Sequence, residues 1–278
     1  MLTTVDVEHG GLSIRVLDWG GDGPALVLLH PNGFCAGFFD PIAPRLTDRF
    51  RVVGVDLRGH GGSDKPRPPE PYRYELMAAD VGAVLDKLGL EDVVVCGASL
   101  GGGVAIHLDH LQPGRVRKMM LCEAIARPRP PGPPPENPLV ATALRRRVVW
   151  PSRAEMFASY GGRPPLDRLA PEALEAYIEW GTILRTDGTV ELACPPEVEA
   201  AIFGSPPMRA GVAAAWEHLA SLSAPAVVLA GATSGLSAEW FRDQAERAGA
   251  EFALVDGGHF FLHEDTGRAV GLITGHLS

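Results

Sequence analysis

Cysteine is scarce in this chain and scattered. Cys35, Cys96, Cys122 and Cys194 form no C-x-x-C pair and have no histidine cluster beside them. That spacing excludes a zinc site and a disulfide framework, and neither a metal nor an organic cofactor is expected. Positive charge is short too, with 25 Lys+Arg against 34 Asp+Glu for a net charge of −9. Such a balance argues against binding a phosphate backbone, so no nucleic-acid partner is expected. The one compact basic run, Arg145-Arg146-Arg147, reads as a solvated or salt-bridged helix face. Long apolar runs are missing: stretches such as Ala25–Leu29 have strand length, far short of the roughly 20 residues that span a bilayer. The first ten residues lack the basic start and apolar stretch of a secretory leader. The expectation is a cytoplasmic protein without membrane contact.

What is present is an apolar content of 46% in 278 residues, enough for a sizeable core. Strand-like runs fall at Thr4–Glu8, Leu12–Asp18, Ala25–His30, Arg51–Asp56, Val93–Ala98, Lys118–Glu123, Ala226–Gly231 and Phe252–Asp256. The first two alternate polar and apolar residues around Gly10-Gly11, as a hairpin does. The later ones are continuously apolar, as parallel strands covered on both faces are. Helical stretches at Tyr74–Leu88, Leu100–Leu111, Ala238–Ala248 and Thr266–His276 lie between or after them. This order predicts an α/β fold whose mostly parallel, eight-stranded sheet is flanked by helices. The alternation stops between residues 127 and 210, where 84 residues hold 15 of the 25 prolines. Residues 1–126 and 211–278 are therefore read as the core, and 127–210 as an inserted helical cap. Pro171–Thr182 reads as a cap helix with proline in its first turn. Arg127–Pro138, rich in residues without an N–H donor, reads as a stiff hinge.

Gly97-Ala98-Ser99-Leu100-Gly101 stands between a predicted strand and a predicted helix. G-x-S-x-G in that context is a nucleophile elbow, a turn so tight that small residues are needed two positions either side of the serine. A serine hydroxyl needs a base at neutral pH. His259 follows the last strand in Gly257-Gly258-His259-Phe260, whereas His107 and His110 fall within the helix after the elbow. The acid is less plain. The loop after the strand ending at Gly231 reads Ala232-Thr233-Ser234, with serine where a carboxylate is expected, and Glu239 lies further on in a helix. Glu123 ends the preceding apolar strand, where a lone charge is costly unless paired; its competing reading is a salt bridge to Arg127 or Arg129. For an oxyanion hole, the N–H of Leu100 opens a helix, and Asn32 or Gly33 supplies a second donor from His30-Pro31-Asn32-Gly33.

These residues resemble those of α/β-hydrolase-fold serine hydrolases, as does Asp56-Leu57-Arg58-Gly59-His60-Gly61-Gly62-Ser63-Asp64, read as a structural turn. Leu121–Pro128 is similar to the segment of haloalkane dehalogenases that carries their catalytic Glu, but that family's nucleophile is Asp. Zearalenone-type lactonases pair a Ser nucleophile with a Glu after the same strand. The resemblance implies a Ser99–His259–Glu123 triad that cleaves a small-molecule ester or lactone through an acyl-enzyme. Phe34 and Phe38, with Trp150, Tyr160 and Trp180 of the cap, are the expected substrate-binding residues, although such aromatics more often form a cap's own core. A homodimer is compatible with this reading. The alternatives are another Ser-His reaction (thioesterase, C–C hydrolase, perhydrolase or natural-product cyclase) and a non-catalytic ligand-binding homologue.

Overall fold

The computed structural model describes residues 1–132 and 136–278. The middle of the expected proline hinge, residues 133–135, lies outside the described residues. In chain order the elements before the elbow are β1 (Thr3–His9), β2 (Leu12–Gly20), β3 (Ala25–Leu29), β4 (Arg51–Val55), α1 (Tyr74–Leu88) and β5 (Val93–Ala98). After it come α2 (Leu100–Leu111), β6 (Val116–Cys122), α3 (Pro138–Leu144), β7 (Val149–Trp150), α4 (Arg153–Tyr160), α5 (Pro171–Trp180), β8 (Thr182–Leu184) and β9 (Val190–Leu192). The chain closes with α6 (Pro196–Gly204), α7 (Pro206–His218), β10 (Ala226–Gly231), α8 (Ala238–Ala248), β11 (Glu251–Val255), α9 (Phe261–Glu264) and α10 (Thr266–Leu277).

Eight strands form one sheet in the order β1-β2-β4-β3-β5-β6-β10-β11. The pairs β1–β2 and β2–β4 are antiparallel and the rest parallel. Gly10 and Gly11 close the β1–β2 hairpin at φ 57° and 76°, a conformation that costs glycine nothing. The absence of polar alternation in the inner strands has a direct cause, because both faces are covered. Val27, Leu29, Val93, Val95, Met119 and Leu121 point into the layer shared with α1, α2, α7 and α8. Leu26, Leu28, Val94, Cys96, Met120 and Cys122 point into the opposite layer, with Phe39, Leu46 and α10 residues such as Ile273. Each such Leu or Val contributes about 1.5–3 kcal/mol by leaving water.

The parallel strands all end at one edge of the sheet, and the loops after β3, β5, β6, β10 and β11 collect there. The segment from β6 to β10 packs on the loop after β3. Its own core joins Trp150, Met156, Tyr160, Leu174, Tyr177, Val190 and Leu192 to Phe34 and Phe38. That segment is more than helical: β7, β9 and β8 form a small antiparallel sheet that the sequence patterns do not predict. Strands of two or three residues are too short to show a period. The expected boundary at 210/211 falls inside α7, whose Gly211 lies against Tyr74 of α1. No helix of the described residues is long and apolar enough to cross a membrane.

Candidate active site

Ser99 sits at the end of β5 with φ 54° and ψ −112°. Residues with a side chain rarely adopt positive φ, and strain of this kind concentrates at functional positions. Among the described residues only three non-glycines do so, Asp92, Ser99 and Glu123. The flanking glycines are sterically required. A Cβ on Gly97 would stand 2.7 Å from the Gly101 carbonyl oxygen, and one on Gly101 would stand 2.2 Å from that of Leu29. The elbow is tied to the next strand where the Ser99 N–H donates to the Cys122 carbonyl at 2.9 Å.

Glu123 follows Cys122 at once and is fully buried. Three donors surround its carboxylate. His259 Nδ1 lies 2.5 Å from Oε2, the Ser234 hydroxyl donates to the same oxygen at 2.8 Å, and the Gly231 N–H donates to Oε1 at 2.8 Å. A buried carboxylate is tolerable only when so satisfied. Glu123 has no ion pair to Arg127, whose guanidinium instead lies over the Trp240 ring. Glu239 is exposed in the first turn of α8. The acceptor at Nδ1 puts the proton there and leaves His259 Nε2 as the basic nitrogen. Among the described residues no hydrogen bond joins Ser99 Oγ to His259, a contact that often tightens only when substrate is bound.

The loop after β3 is pinned peptide by peptide. The Pro31 carbonyl accepts from His30 Nδ1 at 2.8 Å and from the Phe34 N–H at 3.2 Å. The Gly33 N–H donates to His60 Nε2 at 3.1 Å, so that group is engaged. The Asn32 side chain is engaged as well, donating to the Glu199 carbonyl at 3.1 Å. The Asn32 N–H has no protein acceptor among the described residues. It points away from the Pro31 carbonyl of the same planar peptide, which the two donors hold. Leu100 N–H opens α2, where a helix leaves its first donors without internal partners. Burial pushes His30 down to about 4 and His60 well below the usual histidine range. Both are therefore neutral at pH 7; His30 accepts the Leu57 N–H at its other nitrogen, at 3.0 Å. The Asp56–Asp64 turn thus supports the loop after β3 through Leu57, which bonds His30, and through His60, which bonds Gly33.

The aromatic residues divide. Phe34 stacks on Phe38 with centroids 4.4 Å apart and lies 4.5 Å from Tyr177 and 5.0 Å from Phe260, the neighbour of His259. Phe38 is fully buried against the His263 ring at 3.5 Å. Trp150 and Tyr160 pack edge-to-face within the β6–β10 segment. Trp180 is turned toward Gly37 and the lower core layer. A cavity large enough for one water molecule lies between Pro31, Cys122, His259, Phe260 and His263.

Arg146 is salt-bridged, as one of the two expected readings has it, but off the helix and out of solvent. It follows α3 and is mostly buried, paired with Glu199 and bonded to the hydroxyls of Tyr177 at 2.6 Å and Tyr160 at 3.2 Å. Tyr177, one of the aromatic residues of the 127–210 segment, and Glu199 are brought to Arg146 from 31 and 53 positions away, and no local pattern in the sequence links them to it. Among the described residues no group of His, Cys, Asp and Glu is placed to hold a metal ion.

A sequence profile for the α/β hydrolase fold matches residues 24–177, more than half of the chain. The chain belongs to that family. Among α/β hydrolases it is 41% identical over 113 residues to a pimeloyl-(acyl-carrier protein) methyl ester esterase of Pseudoalteromonas atlantica, covering 41% of each chain. The AB hydrolase superfamily protein YisY of Bacillus subtilis is 38% identical over 121 residues, 43% of each chain. The chain spans less than half the length of the curated relatives it matches. An E-2-(acetamidomethylene)succinate hydrolase superposes with a TM-score of 0.81 over 100% of this chain and 99% of its own, at 21% identity. Est816, an N-acyl homoserine lactone degrading enzyme, superposes with a TM-score of 0.73 at 26% identity, covering 98% and 100%.

Proposed function

We propose that this α/β hydrolase cleaves a carboxylic ester or lactone through an acyl-enzyme on Ser99. His259 Nε2 takes the Ser99 proton as Oγ attacks the carbonyl carbon, and Glu123 holds the imidazole and stabilises its charged form. The tetrahedral oxyanion rests on the N–H groups of Leu100 and Asn32, each worth about 3 kcal/mol in comparable hydrolases. His259 returns the proton to the departing alkoxide oxygen, which in a lactone stays tethered to the acyl group. Water, deprotonated by the same nitrogen, then releases the acid and restores Ser99. The proposed cap roofs the site, with Phe34 and Phe260 as an apolar wall beside His259.

The observation that carries this reading is the buried Glu123 carboxylate at 2.5 Å from His259 Nδ1, beside a strained elbow serine. A non-catalytic binding protein has no use for a fully buried carboxylate aimed at a histidine whose side chain is 25% exposed. The similarity to a methyl ester esterase and to a lactone degrading enzyme also supports ester chemistry. Intact mass after incubation with a fluorophosphonate tests it, with Ser99→Ala as control. Stoichiometric labelling lost in the variant is expected, followed by Ser99-dependent turnover of esters and lactones. Absence of labelling on folded protein would overturn the reading.

A further inference from the structure

The oxyanion loop is held from two sides, and the second side is not part of the sheet core. Below, His30 and His60 fix the Pro31 carbonyl and the Gly33 N–H. Above, the Tyr177 hydroxyl donates to the Gly33 carbonyl at 3.2 Å while accepting from Arg146 Nη2 at 2.6 Å. Glu199 faces Arg146 and, through its own backbone carbonyl, holds the Asn32 side chain. Gly33 has φ 80°, and a Cβ there would meet the Glu199 carboxylate at 2.9 Å, so loop and roof are in direct contact. A chain of donors ending on one carbonyl polarises along its length and sharpens the direction of the last bond.

We propose that Tyr177 and Arg146 are positioning residues for the oxyanion hole. The Arg146–Tyr177–Gly33 chain holds the loop at the angle from which the Asn32 N–H meets the developing charge. This rests on the hydrolase reading of the site. Neither residue touches the reacting atoms; Tyr177 acts on the loop, and Arg146 acts on Tyr177. Arg146 must be arginine for this, because one flat guanidinium serves Glu199 at one nitrogen and two tyrosine hydroxyls at the other, a fork that a lysine ammonium does not offer.

The test is Tyr177→Phe, which keeps the ring packed on Phe34 and removes only the hydroxyl. With p-nitrophenyl acetate, kcat is expected to fall on the order of 10- to 100-fold with KM changed less than about twofold, since a misaimed donor is lost only in the transition state. Binding of a boronic acid that forms a tetrahedral adduct on Ser99 should weaken by a similar factor. Arg146→Lys should fall between the wild type and Tyr177→Phe in both readouts. A merely structural role would lower the melting temperature and leave the kcat-to-KM split and boronate affinity in place. Wild-type turnover that Tyr177→Phe retains, with unchanged boronate affinity, overturns this proposal alone. A wild type without Ser99-dependent turnover overturns the hydrolase reading and this proposal with it.

Discussion

The Ser234 hydroxyl donates to Glu123 Oε2 at 2.8 Å, so the loop after β10 reaches the same carboxylate as His259. Serine occupies the position where a triad acid is expected, and it donates to the carboxylate that ends the neighbouring strand. The two positions approach one imidazole from adjacent loops, and this convergence makes their roles separable by exchange.

Glu123→Ala combined with Ser234→Asp should recover at least about tenfold of the activity that Glu123→Ala alone loses, measured as kcat/KM on one ester. The charge is restored within reach of His259 Nδ1, though on a loop with different backbone support. No recovery would mean that the path from residue 234 to the imidazole is blocked.

Glu123→Gln should lower kcat by about 10³- to 10⁴-fold, the scale seen when a triad acid becomes an amide and the histidine tautomer is wrong. Glu239→Gln, on the exposed first turn of α8, should leave kcat within about twofold. The opposite pattern would move the acid to Glu239.

Stability should fall as the medium is acidified from about pH 6.5. Burial lowers His30 to about 4 and His263 to about 3. Between those values and 6.5 the unfolded chain binds protons that the folded chain refuses, so acid favours unfolding. Asp56 works in the opposite sense. Burial raises it to about 6, so the folded carboxyl takes up its proton first and gains stability as pH falls from 6 toward 3.8. His60, His107 and His218 are lowered in the same sense, so at about 1.4 kcal/mol per shifted pKa unit the histidines outweigh the one carboxyl and the net loss by pH 4 is at least a few kcal/mol. Urea denaturation midpoints across pH 4–8 measure it. A flat profile would show that these rings are reached by water in the folded state.

Gly33→Ala should cost both stability and kcat. Its φ of 80° suits glycine alone, and the added methyl would press on the Glu199 carboxylate. A loss of more than about 1 kcal/mol is expected from the backbone term, with kcat falling more than KM rises. Thermal melting and steady-state kinetics on the same preparation separate the two.

Much of this was legible in the chain itself. Val93–Ala98 and Leu100–Leu111 are predicted with the bounds that the structure gives to β5 and α2, because an unbroken apolar run, a glycine-flanked serine and a helical period meet there with no ambiguity. That Glu123 is partnered was legible, because a charge ending an apolar strand demands it. The β7–β9–β8 sheet was not, since its strands are shorter than any period. For Arg146 a salt bridge was one of two readings of the arginine run, but its burial was not legible, since the Glu199, Tyr160 and Tyr177 that enclose it are brought to it only by folding. The commitment of the Gly33 N–H was likewise hidden, because its acceptor, His60, comes from another loop.

Gly37 lies at the start of the loop's return to the core, and a Cβ there would stand 2.0 Å from Trp180 Cγ. Trp180 and Tyr177 are one turn apart on α5, so the helix meets the loop at two points, Gly37 through the indole and Gly33 through the phenol. The seating of α5 therefore depends on a methyl group that is missing. A side chain at position 37 would raise that turn and draw the Tyr177 hydroxyl off the Gly33 carbonyl. Drift at a buried residue with no chemistry of its own would then reach the reacting carbonyl as a change in angle.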